Sequence, residues 1–309
     1  MAYNDKEVIE ASIEHILAQT HPIDKIILVD NGSTDGTATR VPEESVTILV
    51  NEKNFGTSGA FITGFQYAKS HGYDWMWVLD ADSHPRTDAL KQLVLLYESF
   101  ASELQNTIGV LSSSQLIVPV NRLFQGRRLT PGGPRHPIVD PKVNYIDCDA
   151  VIWSGSLVRI EAVDIAGLPR VGLTSPYHDL SLDYGDTEFF FRIKQSGFRI
   201  IVHKLSMIEH PIGNGIITRV FGRLFMSTNH PPWRRYTFFR NLVYFWIYVY
   251  PKKNWLALSL WFFYRLASYC IGILLLETNR KAKLLACLIG TWEGLFGCID
   301  GDLDEGKLS

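Results

Sequence analysis

The chain has 309 residues, 46% of them hydrophobic, and a formal net charge of −2, enough to bury one large core or two smaller ones. The charge is uneven: residues 219–283 carry eleven Lys/Arg against the single acid Glu277, leaving 19 basic and 31 acidic residues elsewhere, a balance of −12. A basic, aromatic-rich tail on an acidic body points to a phosphate-bearing or membrane partner, while long apolar runs between the basic residues and the lack of a nucleic-acid motif argue against nucleic acid.

In chain order, residues 6–18 place Val8, Ile9, Ile13, Ile16 and Leu17 at helical spacing. Residues 26–29 are a short strand, ended by the turn residues and helix caps of Asp30-Asn31-Gly32-Ser33-Thr34-Asp35-Gly36-Thr37. A second strand, 46–50, precedes the small-residue loop 54–59, which opens a helix through Phe61, Phe65 and Ala68. Trp75-Met76-Trp77-Val78-Leu79 reads as a strand buried on both faces, followed by a helix over 87–102 and a strand over 108–111. This alternation predicts an α/β fold with a doubly wound, mostly parallel sheet. Residues 119–145, rich in Pro, Gly and Arg, read as a long loop of the kind that covers a site. Val151-Ile152-Trp153 leads into Ser154-Gly155-Ser156, a short helix spans 161–165, and another carries Phe189, Phe190 and Ile193. A strand over 199–202 and the segment Met207-Ile208-Glu209-His210-Pro211 close a first domain over 1–215; residues 216–309 form a helical, basic and apolar C-terminal region. The cysteines, Cys148, Cys270, Cys287 and Cys298, form no CxxC pair and read as reduced thiols of a cytosolic protein. Residues 1–20 mix polar and apolar side chains and do not read as a signal peptide.

The chemistry starts at Asp80-Ala81-Asp82. A buried strand cannot keep charges, so both acids belong at or beyond its carboxyl end, where open α/β sheets bind ligands. Alternate residues of an extended segment point the same way. Two carboxylates without thiolates suit Mg²⁺ or Mn²⁺ that also holds substrate phosphates; the plainer reading is a solvated acidic turn. Asp30, in front of a glycine-bearing turn, can take a hydrogen bond from a ribose hydroxyl or a base imino group, unless the turn is only a connection capped by Ser33 or Asp35. The 54–59 loop suits a phosphate at a helix N-terminus, or is a tight turn. Asp186 and Glu188 open a helix, a place where acids also serve as caps. Arg127, Arg128 and Arg135 on the long loop either grip an acceptor phosphate or lie solvated, and Trp153 is core or pocket wall.

Taken together, Asp30 to Thr37, Asn54-Phe55-Gly56-Thr57-Ser58-Gly59-Ala60-Phe61 and Trp77-Val78-Leu79-Asp80-Ala81-Asp82-Ser83-His84-Pro85 resemble the family 2 glycosyltransferases, inverting enzymes of the GT-A fold, in their rhamnosyl- and galactofuranosyltransferase-like branch. Trp153-Ser154-Gly155-Ser156-Leu157, Asp183-Tyr184-Gly185-Asp186-Thr187-Glu188-Phe189 and Glu209-His210-Pro211 continue the resemblance over about residues 2–210, and Arg234-Arg235-Tyr236 with Arg240-Asn241 extends it more loosely. The resemblance implies that Asp30 holds the nucleotide base or ribose, with Tyr3 and Asn4 lining the pocket and Asn31, Gly56 and Trp153 in the same donor-binding set. It implies that Asp80 engages ribose and metal, that Asp82 and His210 are further metal ligands, and that Asp186 is the general base with Glu188 close by. An inverting transfer needs one such base and a Lewis acid for the departing diphosphate. The enzymatic alternative is a sugar-1-phosphate nucleotidyltransferase, although the glycine-rich, Arg/Lys-bearing loop usual after its first strand is not visible; an inactive membrane-associated scaffold is the alternative from another class.

Two departures stand out. The family begins with a buried strand ahead of its Tyr-Asn pair, whereas this sequence opens at Met1-Ala2-Tyr3-Asn4, so the expectation is a truncated start or a sheet short of an inner strand. Thr57 and Ala60 stand where glycine is usual in the branch. In the tail, residues 255–276 are almost wholly apolar around a central Arg265. Length permits a spanning helix, but a central Arg costs ~2.5–3.5 kcal/mol on insertion scales. We therefore expect helices lying in the interface, with Lys252, Lys253, Arg280, Lys281 and Lys283 on anionic headgroups. Packing on the first domain or as a homo-oligomer interface is the alternative use of this surface. The expected partners are a nucleotide-diphosphate sugar, a polyprenyl-diphosphate-linked or glycan acceptor, and the inner face of a cell membrane reached from the cytoplasm.

Overall fold

The computed structural model describes residues 1–42, 44–118, 121–170, 184–210, 216–220, 223–227 and 229–297. They fall into two compact units, one of Met1–Arg128, His136–Val171 and Gly185–Pro211, the other of Leu129–Arg135, Gly172–Tyr184 and Ile212–Ser309.

The first unit opens with α1 (Ile9–Leu17), whose Ile9 and Ile13 are buried, then β1 (Ile26–Asp30), a 3₁₀ turn and β2 (Val46–Val50). Strands β1 and β2 pair in parallel from Ile26↔Val46 to Asp30↔Val50. Next come α2 (Gly56–Ser70), β3 (Trp75–Val78), β4 (His84–Pro85), α3 (Ala89–Glu98), α4 (Ser102–Gln105) and β5 (Ile108–Ile117). Where a single long loop was expected, the structure has β6 (Arg122–Phe124) and the start of β9 (Tyr145–Cys148) in this unit, with β7 (Arg128–Thr130) and β8 (Gly133–Arg135) between them, of which Leu129–Arg135 fall in the second unit. Then β10 (Ser156–Arg159), α5 (Ile160–Ala166), α6 (Gly185–Gln195) and β11 (Arg199–His210) complete the unit.

Among the described residues, β3, β10, β5, β11 and β4 follow one another across a sheet, with β6 added on β5 and β9 on β11. The β5–β11 pair is parallel, and β10 runs antiparallel between β3 and β5. On one face lies a core of Phe61, Phe65, Trp153, Val158, Phe189, Phe190 and Ile200. On the other, Leu93, Leu96, Leu111 and Ile201 pack with Trp75, Trp77 and Tyr97. A separate small core of Ile9, Ile13, Leu28, Val46 and Ala81 serves α1, β1 and β2.

The expected burial of residues 75–79 on both faces is not met over Trp75, Met76 and Trp77, which are only half-buried. The reason lies beside them. Strand β1 pairs with β2 alone and β3 with β10 alone, and a cavity of about 510 Å³ separates the two, walled by Ile26, Leu28 and Val29 on one side and by Trp75, Trp77 and Leu79 on the other. Met1 and Ala2 bridge its end. The Met1 amine donates to Leu79 O (3.0 Å), the Ala2 amide to Val29 O (2.9 Å), and the Asn31 amide to Ala2 O (2.8 Å).

The second unit contains the hairpin β12 (Ile216–Val220) and β13 (Arg223–Ser227), then α7 (Pro232–Tyr244), a π-helical turn (Phe245–Val249), α8 (Trp255–Leu276) and α9 (Arg280–Leu295). Gly290 and Gly294 let α9 lie directly on α7: a Cβ at Gly290 would meet the Tyr236 carbonyl oxygen at 2.2 Å. In α8 only Leu258 and Ile273 are buried. Its continuation supplies Glu277, 3% exposed, which holds Lys283 Nζ (2.9 Å), Arg235 Nη2 and the Ser227 hydroxyl. Against the burial that would raise it, Ser227, Lys283 and Arg235 hold Glu277 below the usual carboxylate range. The stabilisation it gives is therefore complete above the unfolded carboxylate pKa of ~4.3 and lost as pH falls through the lower folded value.

Two outcomes follow for thermal unfolding. Glu277→Gln leaves two buried cations uncompensated and should cost about 3–5 kcal/mol, read as a lower Tm at pH 7 whose gap to wild type closes in acid. Gly290→Ala, whose Cβ would meet the Tyr236 carbonyl oxygen at 2.2 Å, should lower Tm by forcing α9 off α7, at about 1–3 kcal/mol for such overpacking.

Candidate functional site

Asp30, Asp80 and Asp82 lie where β1 and β3 end. Asp30 closes β1, is buried, and accepts the Ser33 amide at 3.0 Å. The turn beyond it is roofed by Asn4, whose amide donates to Ser33 Oγ (2.9 Å) and whose Oδ1 accepts the Thr34 amide (2.9 Å). Asn4 does this at φ +56, a conformation asparagine tolerates better than most residues. Tyr3 precedes it, its amide donating to Asp5 Oδ2 at 2.9 Å.

Asn31 ties this turn to the 54–59 loop. Its Oδ1 accepts from Asn51 Nδ2 (2.9 Å) and the Phe55 amide (3.2 Å), while its Nδ2 donates to Asn54 Oδ1 (2.7 Å) and Gly56 O (3.0 Å). The side chain spends its hydrogen bonds inside the protein, so it shapes the rim. Gly56 begins α2 at φ +71, where a Cβ would be strained.

At the end of β3, Asp80 and Asp82 are half-buried while Ala81 and Ser83 between and after them are buried. Residues 81 and 82 form a turn closed by the Ser83 amide donating to Asp80 O at 3.1 Å, and both acids stay partly exposed on it. The Asp80 amide donates to Ser154 Oγ at 3.3 Å, and Ser154 Oγ lies 2.5 Å from Ser83 Oγ. Ser154 thereby fastens the acidic turn to the loop that carries Trp153. The Trp153 ring packs 4.7 Å from Phe61, 5.0 Å from Phe189 and 5.3 Å from Phe190. Of its two open readings, the structure has it in the core.

Through Phe189 this contact reaches α6, whose first turn holds Asp186, 2% exposed, and Glu188, 0% exposed. Burial pushes Asp186 above the usual carboxylate range, opposed chiefly by the Arg127 guanidinium. Glu188 Oε1 is engaged by Arg192 Nε at 2.7 Å and Arg170 Nε at 3.3 Å. Of the three loop arginines, Arg127 turns to Thr187 and Arg128 lies 3.6 Å from Asp149; Arg135 belongs to the second unit. His210 ends β11, and its side chain lies outside the described residues.

Sequence reasoning passed over Asp5, Ser154 and Thr187. Burial raises Asp5, and the charges of Asp82 and Asp35 add to that, so Asp5 belongs to the same acidic neighbourhood. Its place two residues after Tyr3 was the available signal.

Among the described residues no three His, Cys, Asp or Glu side chains are grouped as a metal cage. A small divalent cation does not need one: Mg²⁺ is usually held by one or two carboxylates and completed by substrate phosphates and water. Asp80 and Asp82, both partly exposed at this turn, supply the carboxylates of that donor set.

The family model described as glycosyl transferase family 2 matches residues 1–133. The chain is 25% identical over 251 residues to galactofuranosyltransferase GlfT1 of Mycolicibacterium smegmatis, covering 79% of this chain and 80% of that one. It is also 25% identical over 229 residues to the undecaprenyl-phosphate mannosyltransferase of Micrococcus luteus, covering 68% and 82%. Among solved structures, residues 1–349 of S. aureus TarS in complex with UDP match at TM-score 0.55 and 15% identity, over 95% of this chain and 79% of that one. GalNAc-T7 with UDP, GalNAc and Mn²⁺ matches at TM-score 0.54 and 14% identity, over 78% of this chain and 46% of the other, so the chain spans about half of that longer protein. These likenesses establish the GT-A fold expected from the sequence.

Proposed function

The chain is a glycosyltransferase of family 2, in the galactofuranosyltransferase-like branch, and from that premise we propose that it moves a sugar, with inversion, from a nucleotide-diphosphate donor to a hydroxyl of a lipid-linked or surface-glycan acceptor. One observation carries the reading: the backbone bonds of Met1 and Ala2 tie the end of β1 to the end of β3, so Asp30 and the Asp80–Asp82 pair border one rim. Asp30, with Tyr3 and Asn4, takes the nucleoside end of the donor. Asp80 and Asp82 take its diphosphate end with Mg²⁺ or Mn²⁺, and His210 is the further ligand. The bound cation supplies Lewis acidity to the departing phosphate oxygens. Asp186 accepts the acceptor hydroxyl's proton, a contribution typically worth about 10²–10⁴-fold. Glu188, enclosed and ion-paired, holds α6 in place beside it.

The second unit has its own part in this reading. Helix α8 is long and apolar enough to cross a membrane, and its Trp255, Leu256, Leu260, Phe263, Tyr264 and Leu275 are exposed. Lys252 and Lys253 precede it, Arg280 and Lys281 follow it, and Arg265 sits between. A spanning helix would carry one basic flank across the bilayer and bury Arg265 in it; a helix lying in the interface places both flanks on the same headgroups. We favour the latter, on the cytoplasmic face, where a lipid-linked acceptor is presented.

Calorimetry with UDP, with and without Mn²⁺, tests the donor site. Asp82→Ala should lose the metal-dependent part of binding; Asp186→Asn should bind as wild type yet fail to transfer in a screen of nucleotide sugars. Unchanged turnover in Asp186→Asn removes it as base; pyrophosphate-dependent conversion of the nucleotide sugar to a nucleoside triphosphate and a sugar 1-phosphate favours the nucleotidyltransferase alternative, and failure to bind nucleotide with or without Mn²⁺ favours the scaffold. Co-sedimentation with phosphatidylglycerol vesicles should exceed that with phosphatidylcholine and fall with salt. Failure with both lipids removes the membrane role and leaves packing between copies as the use of α8.

A further inference from the structure

Asp186 does not stand alone at the head of α6. Thr187 donates to the same carboxylate oxygen, Oδ1, from its amide at 2.5 Å and from its hydroxyl at 3.2 Å. That hydroxyl accepts from Arg127 Nη1 at 2.5 Å. A hydroxyl carries a single proton, so with the guanidinium donating into its oxygen, the proton is directed at Asp186. Oδ1 is thus held twice, while Oδ2 takes no hydrogen bond from the described residues.

Arg127 is itself pinned from behind. Its amide donates to Ala150 O and its carbonyl accepts from the Asp149 amide, each at 2.8 Å. Gly126, one residue ahead at φ +85, lies so near Cys148 that a Cβ would sit 2.8 Å from Sγ. The Phe124 ring lies 5.5 Å from the guanidinium carbon. This backbone is seated against the end of β9, and the arginine leaves it in a set direction.

We propose that Arg127 is a positioning residue for the transfer: acting through Thr187, it decides which oxygen of Asp186 faces the acceptor hydroxyl, and it supplies the counter-charge of that buried carboxylate. The inference rests on Asp186 being the base. Oδ2 then takes the hydroxyl proton as the new bond to the anomeric carbon forms and the bond to the diphosphate breaks, its electron pair leaving with the diphosphate. Arg127 and Thr187 end the step unchanged.

Other charges near α6 are occupied. Glu188 on the same helix is paired with Arg192 and Arg170, Asp164 on α5 with Lys69, and Arg199 on β11 with Asp147. Among the described residues, Arg127 is the charge that faces Asp186, lowering a carboxyl that burial raises.

Two readouts test this on the whole chain: ¹³C NMR titration of the Asp186 carboxyl, which needs no substrate, and kcat/KM against pH for release of UDP from a UDP-sugar. Arg127→Gln should raise the proton affinity of Asp186 about tenfold, and the acidic limb of kcat/KM should move up with it, so that activity is lost most at low pH and regained as pH rises. Arg127→Lys keeps the charge without the fork; its limb should stay near wild type while kcat falls severalfold. Thr187→Val should move the limb the same way by less, and it stands in if Arg127→Gln does not fold. A titration unmoved in Arg127→Gln, or an equal loss of activity at every pH, overturns the proposal. Full turnover by Asp186→Asn overturns the base instead, and the NMR titration tells the two failures apart.

Discussion

Three backbone hydrogen bonds at the very start of the chain hold the candidate site together. Met1 reaches Leu79, Ala2 reaches Val29, and Asn31 reaches back to Ala2. They are the direct lacing between strands β1 and β3, whose facing edges are otherwise separated by the apolar cavity. Because charges cannot remain inside buried strands, the acids of both strands emerge at this laced end. Asn31 then stitches the Asp30 turn to the start of α2, and Ser154 stitches the Asp80 turn to the Trp153 loop. The geometry of the rim is a product of small polar residues spending their hydrogen bonds on one another.

Much of this rim was legible from residue type and order. Strand-ending acids such as Asp30 and Asp80, the glycine loop at Gly56 and the acid-rich opening of α6 all obey simple rules of strand and helix termini. What escaped was buried polarity. Strand β5 was read as four residues but runs from Ile108 to Ile117, because Ser112, Ser113, Ser114 and Gln115 look like a strand's end. They are buried, and neighbouring elements supply hydrogen bonds to them: Ser113 Oγ meets Ser206 Oγ at 2.7 Å, Ser114 Oγ donates to His203 O at 3.1 Å, and Gln115 Nε2 donates to Ser154 O at 2.7 Å, while Gln115 Oε1 has no partner among the described residues. Strand β10 was missed for a similar reason, being four residues long and flanked by serine and arginine. The pairing of Glu188 with Arg170, and of Arg127 with Thr187, joins separate parts of the chain and leaves no local pattern to read, whereas Glu188 and Arg192 stand four apart on α6, a spacing that was there to be read.

In the second unit a solitary acid in a basic stretch, Glu277, proves central. Glu277 is where the chain turns from α8 to α9, and the two cations it gathers, Arg235 and Lys283, come from α7 and α9. One carboxylate thereby joins three helices while most of α8 stays uncovered. Such an arrangement separates two tasks that usually coincide in a helix bundle. Ionic contacts fix how the helices meet, and the apolar faces stay available for something else.

The cavity beside β1 bears on how the fold breathes. With β1 and β2 forming a ribbon of their own, served by a small core with α1, residues at the Asp30 end of the rim rest on a patch with fewer buried contacts than the larger sheet, the kind of region from which local opening is drawn. A ligand gripping both rim ends acts as a clasp across that patch. Occupancy and local order are then linked: proteolytic nicking and amide exchange within the α1–β2 ribbon would fall with any ligand that bridges the two ends.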